Sequence, residues 1–464
     1  MKPAILIAAL TLLAGCTVGP NYRRPAVNVP PNFRNADPSP AASSLGNEKW
    51  WNVFKDKELQ GLIHTALDHN YDARIAATRI LQAQAQLGIT RADQFPQLNA
   101  GAGYTGQKIP AFGFAAAQLQ GIFSWNIDFW GQYRRATEAA RANLLASEWN
   151  RNMVLSTVVA NVASSYFQLR ELDLELEIAK RTLASRQESL KLTTTLEQGG
   201  AASLLDVRQA QQLVETAAET IPDSERQIAV MEDTLSTLLG ENPHDIPRGA
   251  PLIEQPIPEA IPAGLPSELL ERRPDIRQVE EQLIAANAEI GVARAQLFPS
   301  LPLTGGGGAE SSQLSGLFSG SAWNFSSIIT QPIFDRGRRR SNVKLAQAEQ
   351  QQALLTYQQT IQQAFRQVSD SLISFAKYRQ FREHQQALTA AAQGAANLSE
   401  TRYRGGAASY LEVLTNETNY FAAELNLARA ELNERLGLVQ IYNSLGGGWE
   451  QESGPPSPSG RAGY

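Results

Sequence analysis

The sequence is poor in cysteine, in long hydrophobic runs and in excess positive charge. One of its 464 residues is cysteine, so the chain cannot form an internal disulfide. The apolar run at the N-terminus, from Ala4 to Leu13, is far shorter than the ~20 residues that a helix needs to cross a bilayer. Lys and Arg number 41 against 46 Asp and Glu, which argues against a nucleic-acid partner.

A set of catalytic residues or metal ligands is also missing from the sequence. Of the four histidines, His64 and His69 are five residues apart, about 140° around a helix, so they do not converge on a metal. The four glycines at 305–308 are not followed by the Lys-Ser/Thr of a phosphate-binding loop. We therefore expect no enzymatic activity, no metal site and no cofactor beyond a covalent lipid.

That lipid is predicted from the N-terminus. Lys2, the apolar run and the small residues before Cys16 describe a secretory signal peptide over residues 1–15. Leu13-Ala14-Gly15-Cys16 resembles a bacterial lipobox, in which the cysteine is lipidated and becomes the mature N-terminus. We expect Cys16 to be acylated, palmitate included, and residues 16–57 to form a lipid-anchored segment. Thr17, in place of Asp, favours sorting to the outer membrane by the same resemblance.

Most of the mature chain is predicted to be an internal duplication. Gly-Gly-Ala-Ala-Ser occurs at 199–203 and again at 405–409, and Phe95-Pro96 recurs as Phe298-Pro299. These matches give a first repeat over 58–243 and a second over 267–446. The stretch 244–266 is rich in proline and predicts an extended linker, and 447–464 predicts a flexible tail.

Each repeat is expected to contain helices, then two strands. The strands are predicted at about 97–107 and 118–129 in the first repeat, and at about 300–309 and 322–333 in the second. Apolar and polar residues alternate along the second of them: Leu119, Phe123, Trp125, Ile127 and Phe129 against Gln118, Gln120, Ser124, Asn126 and Asp128. Such a strand has one apolar and one polar face.

A long helical hairpin follows in each repeat, at about 132–240 and 338–445. From Gln132 to Glu197 there is neither glycine nor proline, and apolar residues recur at the 3.5-residue spacing of a coiled coil. A helix of ~66 residues spans on the order of 100 Å.

The turn of each hairpin is predicted from its glycines and serine. Gly199 and Gly405 are expected to end the long helices with positive φ. Ser203 and Ser409 are expected to cap the returning helices, each completing a capping box with Asp206 or Glu412. The helix that starts near residue 72 is expected to be capped by Asp72.

Strands with one apolar and one polar face, in an exported protein, fit a transmembrane barrel wall. Four strands are too few to close a barrel, and open sheet edges are not tolerated in lipid, so closure between chains is predicted. Eight strands leave almost no lumen, whereas twelve leave a channel. Trp125, Trp130 and Trp323 are placed to form aromatic girdles at the two membrane surfaces.

The sequence resembles the outer-membrane factor family of TolC/OprM-type channels, especially the lipoprotein branch of resistance-nodulation-division efflux systems. The stretches that carry the resemblance are the doubled Gly-Gly hairpins, the doubled Phe-Pro-x-Leu, and "LAGCTVGPNYRRP", "DFWGQYRR" and "PIFDRGRRR". It implies a homotrimer with a twelve-stranded outer-membrane β-barrel, four strands per chain, continuing into a long α-helical coiled-coil periplasmic barrel. Such a channel is a passive exit duct that docks to a periplasmic adaptor and an inner-membrane pump.

The resemblance also implies roles for residues at the hairpin turns. Tyr403 and Glu412 match positions of the closed periplasmic gate, while the family's second acidic position is Thr415 here. The tips that meet the adaptor carry Gly199, Gly200, Ser203, Gly405, Gly406 and Ser409. Two alternatives stay open at this point: an outlet duct for type I protein secretion, and a periplasmic coiled-coil scaffold.

Overall fold

A computed structural model describes residues 17–34, 44–109, 112–258 and 261–450, so the predicted lipidation site Cys16 and most of the C-terminal tail lie outside it. Both halves of the chain have the same order of elements: helices, two strands, a 67-residue helix and a returning helix. The helices are α1 (Trp50–Val53), α2 (Lys57–His69), α3 (Tyr71–Ala92), α4 (Gln132–Gln198), α5 (Leu204–Leu239), α6 (Pro266–Arg272), α7 (Pro274–Ala295), α8 (Arg338–Arg404) and α9 (Tyr410–Ser444). The strands are β1 (Gln97–Ile109), β2 (Phe112–Asn126), β3 (Pro302–Ser311) and β4 (Ser321–Ser327).

The chain divides into two compact units. The first comprises Met1–Val27, Thr78–Trp149 and Ile276–Thr360 and contains all four strands. They form one antiparallel sheet in the order β1-β2-β3-β4. One end of the sheet joins the helices, and the other end carries the connections between paired strands.

The register of the sheet separates polar from apolar side chains, because cross-strand partners lie on the same face. Gln97 pairs with Ser124, and Gln118 pairs with Glu310. The polar face carries Gln97, Asn99, Thr105, Gln107, Gln118, Gln120, Ser124, Asn126, Thr304, Glu310, Asn324 and Ser326, with Phe114 and Ile122 as large apolar exceptions. The opposite face carries Leu98, Tyr104, Leu119, Phe123, Trp125, Leu303, Trp323 and Phe325, with Lys108, Ser311, Ser321 and Ser327 as polar exceptions near the strand ends.

The strand ends differ from those expected from the sequence. β2 begins earlier, because its residues 112–124 pair with the whole length of β1. It ends at Asn126, so Ile127 and Phe129 are not strand residues. Beyond it the chain turns into α4, and the Asp128 carboxylate accepts a hydrogen bond of 2.9 Å from the Arg134 amide. β4 is shorter than expected and ends at Ser327, and only an isolated bridge joins Ser300 to Thr330.

The second unit comprises Asn28–Ala77, Asn150–Asp275 and Ile361–Tyr464 and contains both hairpin turns. Asp56 joins three parts of it: its carboxylate caps α2 through the Glu58 amide (2.9 Å), and accepts from the Tyr166 hydroxyl (3.0 Å) and the Ala250 amide (3.1 Å). α3 is capped by Asn70, whose side chain accepts from the amides of Asp72 and Ala73. The expectation that Asp72 is the cap was wrong, because the helix begins before it. In the parts of the chain described, no helix has both the length and the apolar character needed to cross a membrane.

Candidate functional site

The two hairpin turns have the same main-chain geometry. The Gly200 amide donates to the Glu197 carbonyl (2.9 Å) and the Ala201 amide to the Leu196 carbonyl (2.8 Å), which is the hydrogen-bond pattern of a Schellman turn. The corresponding donors in the second hairpin are Gly406 and Ala407.

The left-handed residue of each turn is the second glycine of the pair. Gly200 has φ 73° and Gly406 has φ 69°, so the expectation for Gly199 and Gly405 was wrong by one residue. The physical reason is that the Gly199 amide still closes a helical turn onto the Thr195 carbonyl (3.1 Å). The direction of the chain therefore reverses one residue later, where an L side chain would be strained.

At the first tip the capping box is complete. The Ser203 hydroxyl accepts a hydrogen bond from the Asp206 amide (3.2 Å), and the Asp206 carboxylate accepts one from the Ser203 amide (2.9 Å). The first turn of α5 is thus stabilised by residues of its own sequence.

At the second tip the box does not form, contrary to expectation. The Ser409 side chain makes no capping hydrogen bond, and the Glu412 carboxylate accepts instead from the Arg402 guanidinium at 3.0 Å. Arg402 belongs to the last turn of α8, so the ion pair closes the hairpin across its turn. Thr415 is exposed, and its hydroxyl donates to the Leu411 carbonyl of its own helix (2.9 Å).

Beneath the turns, the two hairpins share an apolar cluster. Its buried members are Ala210 and Leu213 of α5 and Tyr410 and Val413 of α9, and Leu190, Tyr403 and Leu414 pack against them. The rings of Tyr403 and Tyr410 meet edge to face with centroids 5.1 Å apart. Burial raises the pKa of both phenols, so they stay neutral at physiological pH. The contact between Tyr403 and Tyr410 was not predicted from the sequence.

The three tryptophans predicted to form aromatic girdles, Trp125, Trp130 and Trp323, lie at different places in and beside the sheet. Trp125 is near the helix end of β2 and donates its indole N–H to the Gln94 carbonyl (3.0 Å). Trp130 follows β2, stacks on Phe298 with centroids 4.6 Å apart, and donates to the Pro299 carbonyl (2.9 Å). Trp323 lies towards the opposite end, on the apolar face of β4, and is 83% exposed.

The segment just after Cys16 is held beside Trp130. The Val18 amide donates to the Trp130 carbonyl (3.1 Å), and the Pro20 carbonyl accepts from the Asn287 side chain (2.9 Å). Further along, Arg24 forms an ion pair with Glu280 at 2.9 Å. The residues that follow the predicted lipidation site are therefore bound at the helix end of the sheet.

Comparison with known proteins decides the family. The model of a family described as outer membrane efflux protein matches residues 62–241 and 265–447, most of the chain. The chain belongs to the outer membrane efflux protein family.

Two relatives and one solved structure illustrate the similarity. The cation efflux system protein CusC of Escherichia coli O6:H1 is 36% identical, covering 97% of this chain and 100% of CusC. The probable outer membrane lipoprotein SilC of Salmonella typhimurium is also 36% identical, covering 96% and 98%. The open state of the Neisseria gonorrhoeae MtrE outer membrane channel matches with a TM-score of 0.87 and 31% identity, covering 95% of this chain and 100% of that one.

Family membership confirms the resemblance inferred from the sequence. This member of the outer membrane efflux protein family is an exit channel of an efflux system, located in the outer membrane. The periplasmic scaffold considered from the sequence is thereby set aside.

Proposed function

We propose that three copies of the chain close a single twelve-stranded barrel and form a passive exit duct through the outer membrane. The observation that carries this proposal is a four-stranded sheet with one polar face, one apolar face and two edge strands, β1 and β4. An unpaired edge in lipid leaves main-chain N–H and C=O groups without partners, at several kcal/mol each, so the edges must pair between chains. Twelve strands give a lumen, whereas eight do not.

In this arrangement the polar face lines water and the apolar face contacts lipid. Trp125 and Trp130 then lie at the helix end of the sheet, and we assign Trp323, the third residue of β4 after its connection to β3, to the second of two aromatic girdles. Acylated Cys16 would insert into the leaflet on the helix side, and the description of SilC as a lipoprotein supports a lipid anchor. The repeated order of elements supports an internal duplication.

The partners follow from the role of an efflux outlet. We infer that the helical hairpins extend into the periplasm and that their tips, including Gly199, Gly200, Ser203, Gly405, Gly406 and Ser409, contact a periplasmic adaptor coupled to an inner-membrane resistance-nodulation-division pump. CusC is named for cation efflux. A duct lined mainly by uncharged polar side chains discriminates little among small solutes, so the pump selects the cargo.

The turn of the second hairpin and the helix ends beside it, residues 402–416, are called tip two, and the matching residues 196–210 of the first hairpin are called tip one. Tip two is proposed as the periplasmic gate, with Glu412 near the constriction and Tyr403 packed in the apolar cluster beneath it. Glu412 is partly exposed, and its partner Arg402 lies on the same hairpin. Because Thr415 is uncharged, each chain contributes one carboxylate at this level instead of two. Glu412→Ala is expected to raise single-channel conductance in planar bilayers. An unchanged conductance would mean that Glu412 has no role in the gate and serves only in the ion pair with Arg402.

Cross-linking between the sheet edges tests closure of the barrel. Full-length protein carrying Thr105→Cys on β1 and Asn324→Cys on β4, both on the polar face, is treated with a short bifunctional maleimide in isolated outer membranes. We expect covalent dimers and trimers and no larger species. The matched control, Gln118→Cys with Glu310→Cys, places both thiols on paired strands of one chain and should give monomers. Monomers alone from the edge variant would overturn the proposal.

A further inference from the structure

Arg186 of α4 is a buried cation that touches both hairpins. Its side chain is 2% exposed. One guanidinium nitrogen donates to the Leu213 carbonyl of α5 at 2.8 Å, and another donates to the Glu417 carbonyl of α9 at 3.3 Å. The central carbon of the guanidinium lies over the Phe421 ring, 4.8 Å from its centroid. One side chain therefore joins three helices.

The acceptors of Arg186 are main-chain carbonyls, and their position is fixed by the helices that carry them. Its Nε donates to no atom within the described parts of the chain. Burial lowers the pKa of the guanidinium, although arginine remains charged at any physiological pH. If α9 moved away from α4, a buried charge would lose half of its acceptors and its aromatic contact without reaching water.

Other ionic contacts between α4 and α9 lie farther from the turns and are easier to break. Arg181 pairs with Glu424 at 2.5 Å, and Arg429 pairs with Glu175 at 3.0 Å. In both pairs the arginine is more than half exposed although the carboxylate is buried, so water can hydrate the cation when the pair breaks, as it cannot at Arg186. On the tip side of Arg186, the apolar cluster around Tyr410 and Leu190 joins the hairpins. Apolar contacts of this kind are not directional and allow sliding.

We propose that Arg186 is a positioning residue that sets the pivot of the gate: residues 410–416 of α9 move when the channel opens, and α9 from Glu417 onwards stays attached to α4 and α5. The gate itself rests on the proposed function, and this inference adds where its moving segment ends.

Hydrogen exchange on the full-length, detergent-solubilised protein tests the pivot directly. In the wild type, we expect α9 amides to exchange measurably faster before about residue 417 than after it. Arg186→Met keeps an unbranched, flexible apolar stem and removes the guanidinium with its charge, and it should move this boundary to about residue 424, with at least tenfold less protection between the two. The control Arg181→Met removes a neighbouring cation of the same helix and should leave the boundary at 417. An unchanged boundary in Arg186→Met would overturn the inference.

Conductance in planar bilayers gives a second, independent readout. Arg186→Met should conduct several-fold more than wild type, and Arg181→Met should not. If Arg186→Met does not assemble, Arg186→Lys and Phe421→Leu replace it, since an ammonium cannot reproduce the forked hydrogen bonds and leucine cannot reproduce the ring contact. Wild-type exchange in both would overturn the pivot. A wild-type protein that forms no channel but shows the expected boundary would contradict the proposed function and leave the pivot standing.

Discussion

The two hairpin tips share one turn but stabilise it in different ways. Both end the long helix with a Schellman turn around a left-handed glycine, Gly200 or Gly406. Beyond the turn they diverge. Tip one completes a capping box between Ser203 and Asp206, whereas tip two replaces that box with an ion pair across the turn.

The cause lies in two sequence differences between matching positions. Where tip two has Arg402, tip one has Leu196, so Asp206 has no cation within the turn to compete with the Ser203 amide. Where tip one has Asp206, tip two has Glu412, whose extra methylene lets the carboxylate reach Arg402. A charged partner ten residues away in sequence therefore decides whether a local cap forms.

The packing of the first residue of each returning helix differs as well. Leu204 opens α5 with 58% of its surface exposed, while Tyr410 opens α9 at the matching place and is 1% exposed. Tip one thus exposes two leucines, Leu204 and Leu205, where tip two exposes one, Leu411, and buries Tyr410. Under the proposed function, in which both tips contact the adaptor, this contrast gives tip one the larger exposed apolar surface for that contact.

The largest expected effect on local stability comes from the buried aromatic ring at tip two. Tyr410→Ala removes a buried ring from the shared cluster and should lower the local free energy of unfolding at tip two by about 3–5 kcal/mol. Leu204→Ala, its matched control, should change tip one by less than about 0.5 kcal/mol, since the leucine is mostly solvated. Amide hydrogen exchange of the residues around each turn measures both. Equal losses at the two tips would contradict the difference in burial.

A smaller effect is expected at the caps. Ser203→Ala should cost tip one about 1 kcal/mol, because the Asp206 amide loses its acceptor. Ser409→Ala should change tip two by a few tenths of that at most, because the Ser409 hydroxyl accepts no capping hydrogen bond. Exchange rates of amides in the first turns of α5 and α9 give the comparison. A comparable cost at Ser409 would show that the second box forms in solution.

The sequence predicts well those features that depend only on the local pattern of residues. The long helix α4 follows from the absence of glycine and proline over more than sixty residues, α8 follows from the same pattern interrupted by Gly394 alone, and the separated faces of β2 follow from its alternation. The family was recognisable from its doubled motifs. These features need no knowledge of which distant residues meet.

Features set by a partner elsewhere in the chain could not be predicted in the same way. The start of β2 depends on its pairing with β1, and the missing cap at Ser409 depends on Arg402. The pair of glycines in each turn indicates a reversal, but the last carbonyl of the helix decides which glycine is left-handed. Arg186 had no sequence signal, since one arginine in a helix rich in charged residues is ordinary until its burial is known.

The smallest effect tests the ion pair that replaces the cap. Arg402→Leu places in tip two the residue that tip one carries. An exposed pair is worth about 0–1 kcal/mol, and the freed Glu412 carboxylate can turn to the Ser409 amide, so the net change in tip stability should stay below about 1 kcal/mol.

The character of the stabilisation should change more than its size. In the wild type, protection of tip-two amides should fall as salt rises from about 0.05 to 0.5 M, because screening weakens the pair. In Arg402→Leu the salt dependence should weaken, while protection of the Ser409 amide should rise. Adding Glu412→Asp should raise the protection of the Ser409 amide further, because the capping box of tip one has aspartate at this place. A salt dependence equal to that of the wild type would mean that the pair between Arg402 and Glu412 does not hold the turn.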